Sequence, residues 1–181
     1  MRREFLIIVN VAFISMIVGG GLYYFAPSPQ ATHTASDGTF ATVSSASAKD
    51  SQTISFDILD IGTRAAGVTA RKNYAAYSKE DFAKIWKMAH GTDRMPIPTV
   101  DFSKNFVIGV FSGKQSTGGH TIEVAKVTDI GNIRTVAVAL TSPGQNCIVT
   151  EALTNPYQII VVPFTYADLT HEDISTTVSC S

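Results

Sequence analysis

The chain has 181 residues and a formal net charge of −1 at pH 7, with a pI near 6.4. Nucleic-acid binding needs clustered Lys and Arg side chains to neutralise phosphates, and the clusters here are only the pairs Arg2-Arg3 and Arg71-Lys72. We therefore expect no nucleic-acid partner, and the length suggests one domain with additional segments.

Residues 5–25 are an uncharged, largely apolar run of 21 residues. As a helix rising about 1.5 Å per residue, the run would be roughly 31 Å long, the thickness of a bilayer's hydrocarbon core. Arg2 and Arg3 precede the run, and no Lys or Arg follows it until Lys49, which favours a cytoplasmic N-terminus. Residues 1–26 are thus predicted to be a single-pass signal-anchor in the cytoplasmic membrane, with the remaining chain periplasmic or extracellular.

The alternative is a cleaved signal peptide. Ala26 and Ser28 have the spacing of small residues that cleavage requires, but Pro29 would then follow the cut. The apolar run is also longer than the usual 7–15 residues of a signal peptide. Both interpretations place the bulk of the chain outside the cytoplasm.

Residues 27–53 are rich in Ser, Thr and Ala and contain too few apolar side chains to offset the entropy lost on ordering. They are predicted to be a flexible linker, with an end-to-end distance of roughly 30 Å. A domain over residues 54–181 follows, and a unit of that size can fold alone.

The domain has the sequence pattern of an α+β fold. Residues 78–90 are predicted to be an amphipathic helix that begins after an N-cap at Ser78 and ends at Gly91, with Trp86 on its apolar face. Residues 131–132 are a predicted hairpin tip, and the run at 105–113 predicts a central strand. From these segments we expect one antiparallel sheet of about six strands packed with the helix. The strand segments are 54–62, 71–78, 105–113, 120–129, 133–142, 147–155, 157–164 and 173–181.

Cys147 and Cys180 are the only two cysteines. In an oxidising compartment an even count favours a disulfide, which would hold the C-terminal strand against the turn at residues 143–147. A two-cysteine metal site is the alternative, but no CxxC or HxxH spacing accompanies it. The sequence therefore predicts no metal and no cofactor.

The stretch GKQSTGGH, residues 113–120, admits three interpretations. A phosphate-binding loop requires Lys after the last glycine and a helix behind it, and neither is present. A nucleophile elbow requires GxSxG between strand and helix, and Ser116 and His120 are too close in sequence for an easy triad. We expect a hairpin turn in which Gly118 and Gly119 supply positive φ or a bulge, and His120 starts the next strand.

Two neighbouring features complete the candidate binding surface. Pro143-Gly144 predicts a type II turn, and the strand break at Pro156 is expected to aim Tyr157 outward. The candidate binding residues are Lys114, Gln115, Ser116, Thr117, Gly118, Gly119, His120, Pro143, Gly144, Gln145, Asn146 and Tyr157.

These segments recur together in a known family. The stretches VDFSKNFVIGVFSGKQSTGGHTIEV and TSPGQNCIVTEALTNPYQIIVVP, followed by a terminal Cys, resemble the C-terminal domain of the protease-complex accessory subunit PrcB, with His120 where that family usually has Tyr. The resemblance covers roughly residues 96–180. It implies a secreted or membrane-attached accessory protein linked to protease assembly or stability, with no catalytic residue.

Together, the observations favour a non-enzymatic, membrane-anchored, extracytoplasmic binding domain with a protein partner in a protease or other envelope complex. One alternative is an inhibitor that inserts a loop into a protease cleft. Another is a serine-type hydrolase, which would require Ser116 or a different hydroxyl beside a histidine in space.

Overall fold

The computed structural model describes residues 23–25, 51–93 and 95–180. These residues form one helix, α1 (Lys79–His90), and nine strands. The strands are β1 (Tyr23–Tyr24), β2 (Ser51–Ile54), β3 (Asp57–Gly62), β4 (Lys72–Ala76), β5 (Asn105–Phe111), β6 (Thr121–Ile130), β7 (Ile133–Pro143), β8 (Tyr157–Pro163) and β9 (Asp168–Val178).

The strands form two sheets, so the expected single sheet of about six strands is wrong. One sheet has the order β1-β4-β5-β8-β3, and the other has the order β2-β6-β7-β9. The predicted strand over 54–62 is divided between them, because the chain leaves one sheet after Ile54 and enters the other at Asp57. The alternation of apolar and polar residues along a strand shows which side chains face a core, but it does not identify the sheet that the strand joins. The α+β class holds in its coarse form, as mostly β with one helix.

β9 pairs with β7 in parallel, whereas every other pair of neighbouring strands is antiparallel. The cause is the route of the chain, which leaves β7, descends through β8 in the opposite sheet and returns to β9. Two successive crossings restore the original direction. β9 also begins earlier than predicted, at Asp168.

β5 lies at the centre of its sheet and is buried on both faces, as its nearly continuous apolar run predicted. Phe106, Ile108 and Val110 face the second sheet, in the core cluster that also contains Val136 of β7. The alternate residue Val107 faces α1, in the cluster that contains Trp86. The molecule therefore has three layers, helix, sheet and sheet, with one core in each gap.

α1 begins and ends as its sequence predicted. The hydroxyl of Ser78 accepts a hydrogen bond from the backbone N–H of Asp81 at 3.1 Å. Gly91 ends the helix with φ of 66°, a conformation that side chains rarely adopt. Trp86 is buried, as predicted, and its Nε1 donates to the Met95 carbonyl at 3.3 Å.

The N-terminal boundary differs from the prediction. β1 pairs with β4 along the sheet edge, and Phe25 is buried in the core between the sheets with its ring 5.3 Å from that of His171. Residues 23–25 thus belong to the folded domain and not to the end of a membrane span. β2 likewise begins at Ser51, so residues 51–53 are part of the sheet and not of a linker. Residues 1–22 and 26–50 lie outside the described residues. No helix in the described part of the chain is long and apolar enough to cross a membrane.

The sheets have two distinct ends. At the first, called the loop end, β5 and β7 finish and β6 and β8 begin. The opposite end, called the hairpin end, carries the β6–β7 turn at Gly131, whose φ is 60° as the predicted tip requires. Every predicted site residue belongs to the loop end.

Candidate functional site

The glycine loop, residues 113–120, crosses from one sheet to the other. The expected hairpin turn is wrong, because β5 pairs with β4 and β8 whereas β6 pairs with β2 and β7. Gly113 and Gly119 have φ of 77° and 84°, so the expectation of positive φ holds at Gly119. His120 precedes the first strand residue, Thr121. The loop's conformation is fixed by contacts that are not part of either sheet. The main ones are two reciprocal backbone hydrogen bonds between Gln115 and Thr154, at 2.8 and 3.0 Å.

The segment that follows β7, residues 144–156, is called the disulfide loop. Its predicted strand over 147–155 is wrong, since only Thr154 and Asn155 form isolated bridges. The predicted type II turn is also wrong, because positive φ within the described residues occurs only at other glycines than Gly144. Instead the Cys147 N–H donates to the Gly144 carbonyl at 3.0 Å.

A disulfide joins Cys147 to Cys180, which confirms the pairing predicted from the cysteine count. The Gly144 N–H donates to the Val178 carbonyl at 2.8 Å, and the Asn146 side chain donates to the Cys180 carbonyl at 3.3 Å. The start of the disulfide loop is therefore bound to the end of β9 and the residues just after it by one covalent bond and two hydrogen bonds.

The two loops pack against each other, so the structure brings the predicted loop residues together. The Gly118 N–H donates to the Thr150 carbonyl at 2.9 Å, and the Thr154 hydroxyl donates to the Thr117 carbonyl at 2.8 Å. A Cβ atom on Gly118 would lie only 2.3 Å from the Thr150 hydroxyl oxygen. The loops therefore form one surface with a defined backbone.

The apolar part of this surface comes from residues that the sequence analysis assigned to a strand. Ile148 is fully exposed, and Leu153 is 74% exposed. A strand would have hidden alternate side chains, whereas the irregular loop turns both outward. Both side chains are therefore accessible to another molecule at the loop end.

Tyr157 lies beneath this surface, so the expectation that it points outward is wrong. It is buried, its ring stacks on Phe111 with centroids 5.9 Å apart, and its hydroxyl donates to Asp60 at 2.7 Å. Burial, and next the hydrogen bond to Asp60, raise the pKa of Tyr157 above its ordinary value. His90 Nε2 lies 3.0 Å from the same Asp60 oxygen, so the three side chains link β8, β3 and α1.

Asn155 is a positioning residue that the sequence analysis missed. It is buried, and its side-chain amide donates to the carbonyls of Ala65 and Val68. Its backbone N–H donates to the Thr63 carbonyl at 2.7 Å. Asn155 thus fixes the end of the disulfide loop to the segment after β3. The Asn-Pro pair suggested only a strand break, because its partners are distant in sequence.

A cleft of about 210 Å³ opens beside His120 and is lined by Ile61, Gly62, Thr63, His120, Thr121, Ile122 and Pro156. Pockets for small-molecule ligands usually enclose about 300–1,000 Å³, so this cleft suits a single side chain of a protein better. A second depression, of about 380 Å³, lies at the C-terminal end of α1 and is lined by Ala66, Gly67, Lys84, Lys87, Met88, Gly91 and Thr92.

The hydroxyl of Thr117, next to Ser116 in the sequence, lies 3.4 Å from His120 Nε2. Among residues 23–25, 51–93 and 95–180 there is no group of three or more His, Cys, Asp or Glu residues that could hold a metal ion.

The chain was compared with protein-family models, curated proteins and solved structures. Residues 106–163 match the family model described as PrcB C-terminal, which confirms the resemblance seen in the sequence. The matched region runs from β5 to the end of β8 and includes both loops of the loop end. The search of curated proteins and the search of solved structures each returned no match.

Proposed function

We propose that this chain, which carries a PrcB C-terminal region at residues 106–163, is a non-enzymatic accessory protein held at the outer face of the cytoplasmic membrane. Its loop end binds a protein subunit of a protease complex or of another envelope assembly and supports its assembly or stability. The observation that carries the proposal is the outward position of Ile148 and Leu153 on a loop that is fixed at both ends.

The fixed backbone favours binding because little conformational entropy remains to be lost. Cys147 is covalently bound to Cys180 just after β9, Thr150 and Thr154 bond to the glycine loop, and Asn155 bonds to the segment after β3. Fixing the backbone of one flexible residue would otherwise cost about 1–2 kcal/mol. The loop end therefore presents Ile148 and Leu153 on a backbone that is already ordered, and the cleft beside His120 can accept one side chain of the partner.

Membrane attachment is the part of the proposal that depends on sequence. The described domain begins at Tyr23, which leaves residues 5–22, a run of 18 uncharged residues, as the anchor. As a helix that run would be about 27 Å long, within the range that spans a bilayer. The disulfide supports an oxidising compartment, where such bonds persist.

Co-purification from mildly solubilised membranes tests the function. We expect the tagged full chain to retain a protease or a protease-bound subunit, identified by mass spectrometry and by peptidase activity in the eluate. Ile148→Asp with Leu153→Asp is expected to abolish the retention, because a charge at a desolvated contact is costly. Ile174→Asp is the matched control, since Ile174 is an exposed isoleucine in the middle of β9. If the two variants retain the protease or its subunit equally, the assignment of partner binding to the loop end is refuted.

A loop-inserting protease inhibitor is the second candidate, and the position of Ile148 favours it. An apolar side chain held outward next to a covalent anchor could enter a protease subsite. Titrating the co-purified protease with the purified chain separates the candidates. An inhibitor abolishes peptidase activity at one equivalent, whereas an accessory subunit leaves the activity unchanged or increases it.

A further inference from the structure

The hairpin end carries a group of exposed aromatic side chains, called here the aromatic patch: Tyr77, Phe164 and Tyr166. The Tyr77 and Phe164 rings have centroids 6.3 Å apart, and those of Phe164 and Tyr166 are 5.1 Å apart. Tyr166 is 91% exposed, and the other two are 37% and 40% exposed. Tyr77 also stacks on the buried Phe106 at 4.9 Å, so the patch rests on the core.

The turn of the β6–β7 hairpin adds two more apolar side chains to this end. Ile130 and Ile133 are paired across the turn, and both are exposed. The hairpin is fastened to the end of β8, because Arg134 bonds to Asp129 at 2.7 Å and donates to the Pro163 carbonyl at 2.5 Å. The hairpin turn and the aromatic patch therefore belong to one end of the domain.

The register of β1 shows where the apolar N-terminal run joins the domain. Tyr23 pairs with Ala75 and Tyr24 with Tyr74, in the antiparallel sense. The N-terminal end of β1 therefore lies beside the C-terminal end of β4, which leads to Ala76 and Tyr77. In the sequence, the run of residues 5–22 directly precedes β1, whose first residue lies toward the hairpin end.

We propose that the hairpin end is a membrane-contact surface, with the aromatic patch in the headgroup zone of the bilayer. The proposal rests on the membrane attachment contained in the proposed function and adds the orientation of the domain. With the apolar run and the sheet directly joined, the domain stands against the bilayer. The occupant of the patch is a lipid surface, because the segment that joins the domain beside the patch is itself long and apolar enough to enter one.

The side chains of the patch suit that zone. Tyr has an apolar ring and a polar hydroxyl, and such rings are enriched at membrane–water interfaces. Charged residues of both signs lie close to the patch in the sequence. Lys79 and Lys104 are basic, and Asp101 and Asp168 are acidic. Hydrogen bonds from Ser103 lower the pKa of Asp101, which therefore stays ionised. We expect contact with zwitterionic lipid that is insensitive to salt.

The orientation places the loop end away from the bilayer. β5 starts at the hairpin end and finishes at the loop end, and its seven residues span roughly 20 Å. Ile148 and Leu153 would then face the aqueous compartment, where a protein partner can reach them.

The test uses two exposed lysines on either side of β5. Lys104 precedes the strand at the hairpin end, and Lys114 follows it at the loop end. Because both native cysteines are in the disulfide, Lys104→Cys and Lys114→Cys can each be labelled selectively with a fluorophore. The full chain is reconstituted into phosphatidylcholine vesicles that contain a headgroup-nitroxide lipid. We expect quenching to be severalfold stronger at position 104 than at 114, at both low and high salt.

Variants then connect the quenching to the patch. Phe164→Ser with Tyr166→Ser is expected to reduce the quenching at position 104, whereas Leu153→Ser, at an exposed apolar site of the loop end, leaves it unchanged. Flotation of the chain with the vesicles but equal quenching at the two positions overturns the membrane-contact surface and leaves the anchor intact. Failure of the chain to float with the vesicles overturns both the anchor and the surface.

Discussion

Gly119 lies directly against Pro143, and this contact joins the glycine loop to the end of β7. A Cβ atom on Gly119 would be 3.3 Å from Cβ and Cγ of Pro143 and 3.4 Å from Cγ1 of Val149. The φ of Gly119 is 84°, a region where other residues are strained. The surface that carries Ile148 therefore depends on a backbone conformation for which glycine is best suited.

Gly119→Ala is expected to lower the free energy of unfolding by about 1–3 kcal/mol, because it adds backbone strain and a close contact. It should also weaken recovery of the partner, since the two loops can no longer meet as they do. Denaturant unfolding and co-purification measure the two effects. Ser116→Ala, at an exposed position of the same loop, is expected to stay within about 0.5 kcal/mol. A Gly119→Ala chain as stable as the parent would show that the loop is not held in this conformation.

The disulfide is expected to contribute about 3–4 kcal/mol to stability, the chain-entropy value for a loop of this size. Cys147 and Cys180 are 33 positions apart, and their bond closes residues 147–180. The double variant Cys147→Ser/Cys180→Ser should lose that amount in denaturant unfolding. Reducing the parent chain should give the same loss, whereas the double variant should not respond to the reductant. A loss below about 1 kcal/mol would mean that the last strand is held by its backbone bonds to β7 alone.

The buried hydroxyl of Tyr157 is expected to cause a loss of stability at alkaline pH. Its pKa is raised in the folded state by burial and by the bond to Asp60, so the unfolded chain releases the phenolic proton first. The contribution of Tyr157 to the free energy of unfolding is therefore fully present below about pH 10. Above that pH it decreases by up to about 1.4 kcal/mol per pH unit.

Tyr157→Phe should remove that alkaline slope and lower stability at neutral pH by about 1–3 kcal/mol, because Asp60 loses a hydrogen-bond donor. Denaturant unfolding at a series of pH values from 7 to about 10.5 measures both effects. Tyr166→Phe, at an exposed tyrosine, is the matched control and should keep the slope of the parent chain. An unchanged slope in Tyr157→Phe would show that a different group causes the alkaline loss.

Asn155 is expected to be essential for the shape of the loop end. Its amide is the donor to two carbonyls, those of Ala65 and Val68, and aspartate has the same shape without the donor hydrogens. Asn155→Asp and Asn155→Ala should each cost about 2–4 kcal/mol, since buried acceptors lose their partner. Hydrogen exchange should become faster in residues 63–68. Exchange that stays slow there would mean that Asn155 does not fix this segment.

The sequence predicted those elements whose signals are local. α1 carries its own cap at Ser78, its apolar face and its terminal Gly91, and the β6–β7 hairpin carries a glycine at its tip. β5 was recognised as central because both of its faces are apolar. Each of these signals lies within about a dozen residues and needs no knowledge of a distant partner.

The features that sequence analysis missed depend on distant partners. Nothing in residues 54–62 shows that β2 and β3 belong to different sheets, and nothing in residues 168–178 shows that β9 runs parallel to β7. Tyr157 was expected at the surface because the partner that makes its burial favourable, Asp60, is 97 residues earlier. The glycine loop was correctly located, but its expected role as a hairpin turn was wrong. Glycines suit a connection between two sheets as well as they suit a hairpin.

Site-specific photo-crosslinking from position 148, in the cells that make the full chain, tests the central claim most directly. A photoreactive residue in place of the fully exposed Ile148 should crosslink to a protease or a protease-bound envelope protein. The same residue at Ile174, on the exposed middle of β9, should give no such product. No crosslink from position 148, or the same product from both positions, would contradict a loop end that binds a protein partner.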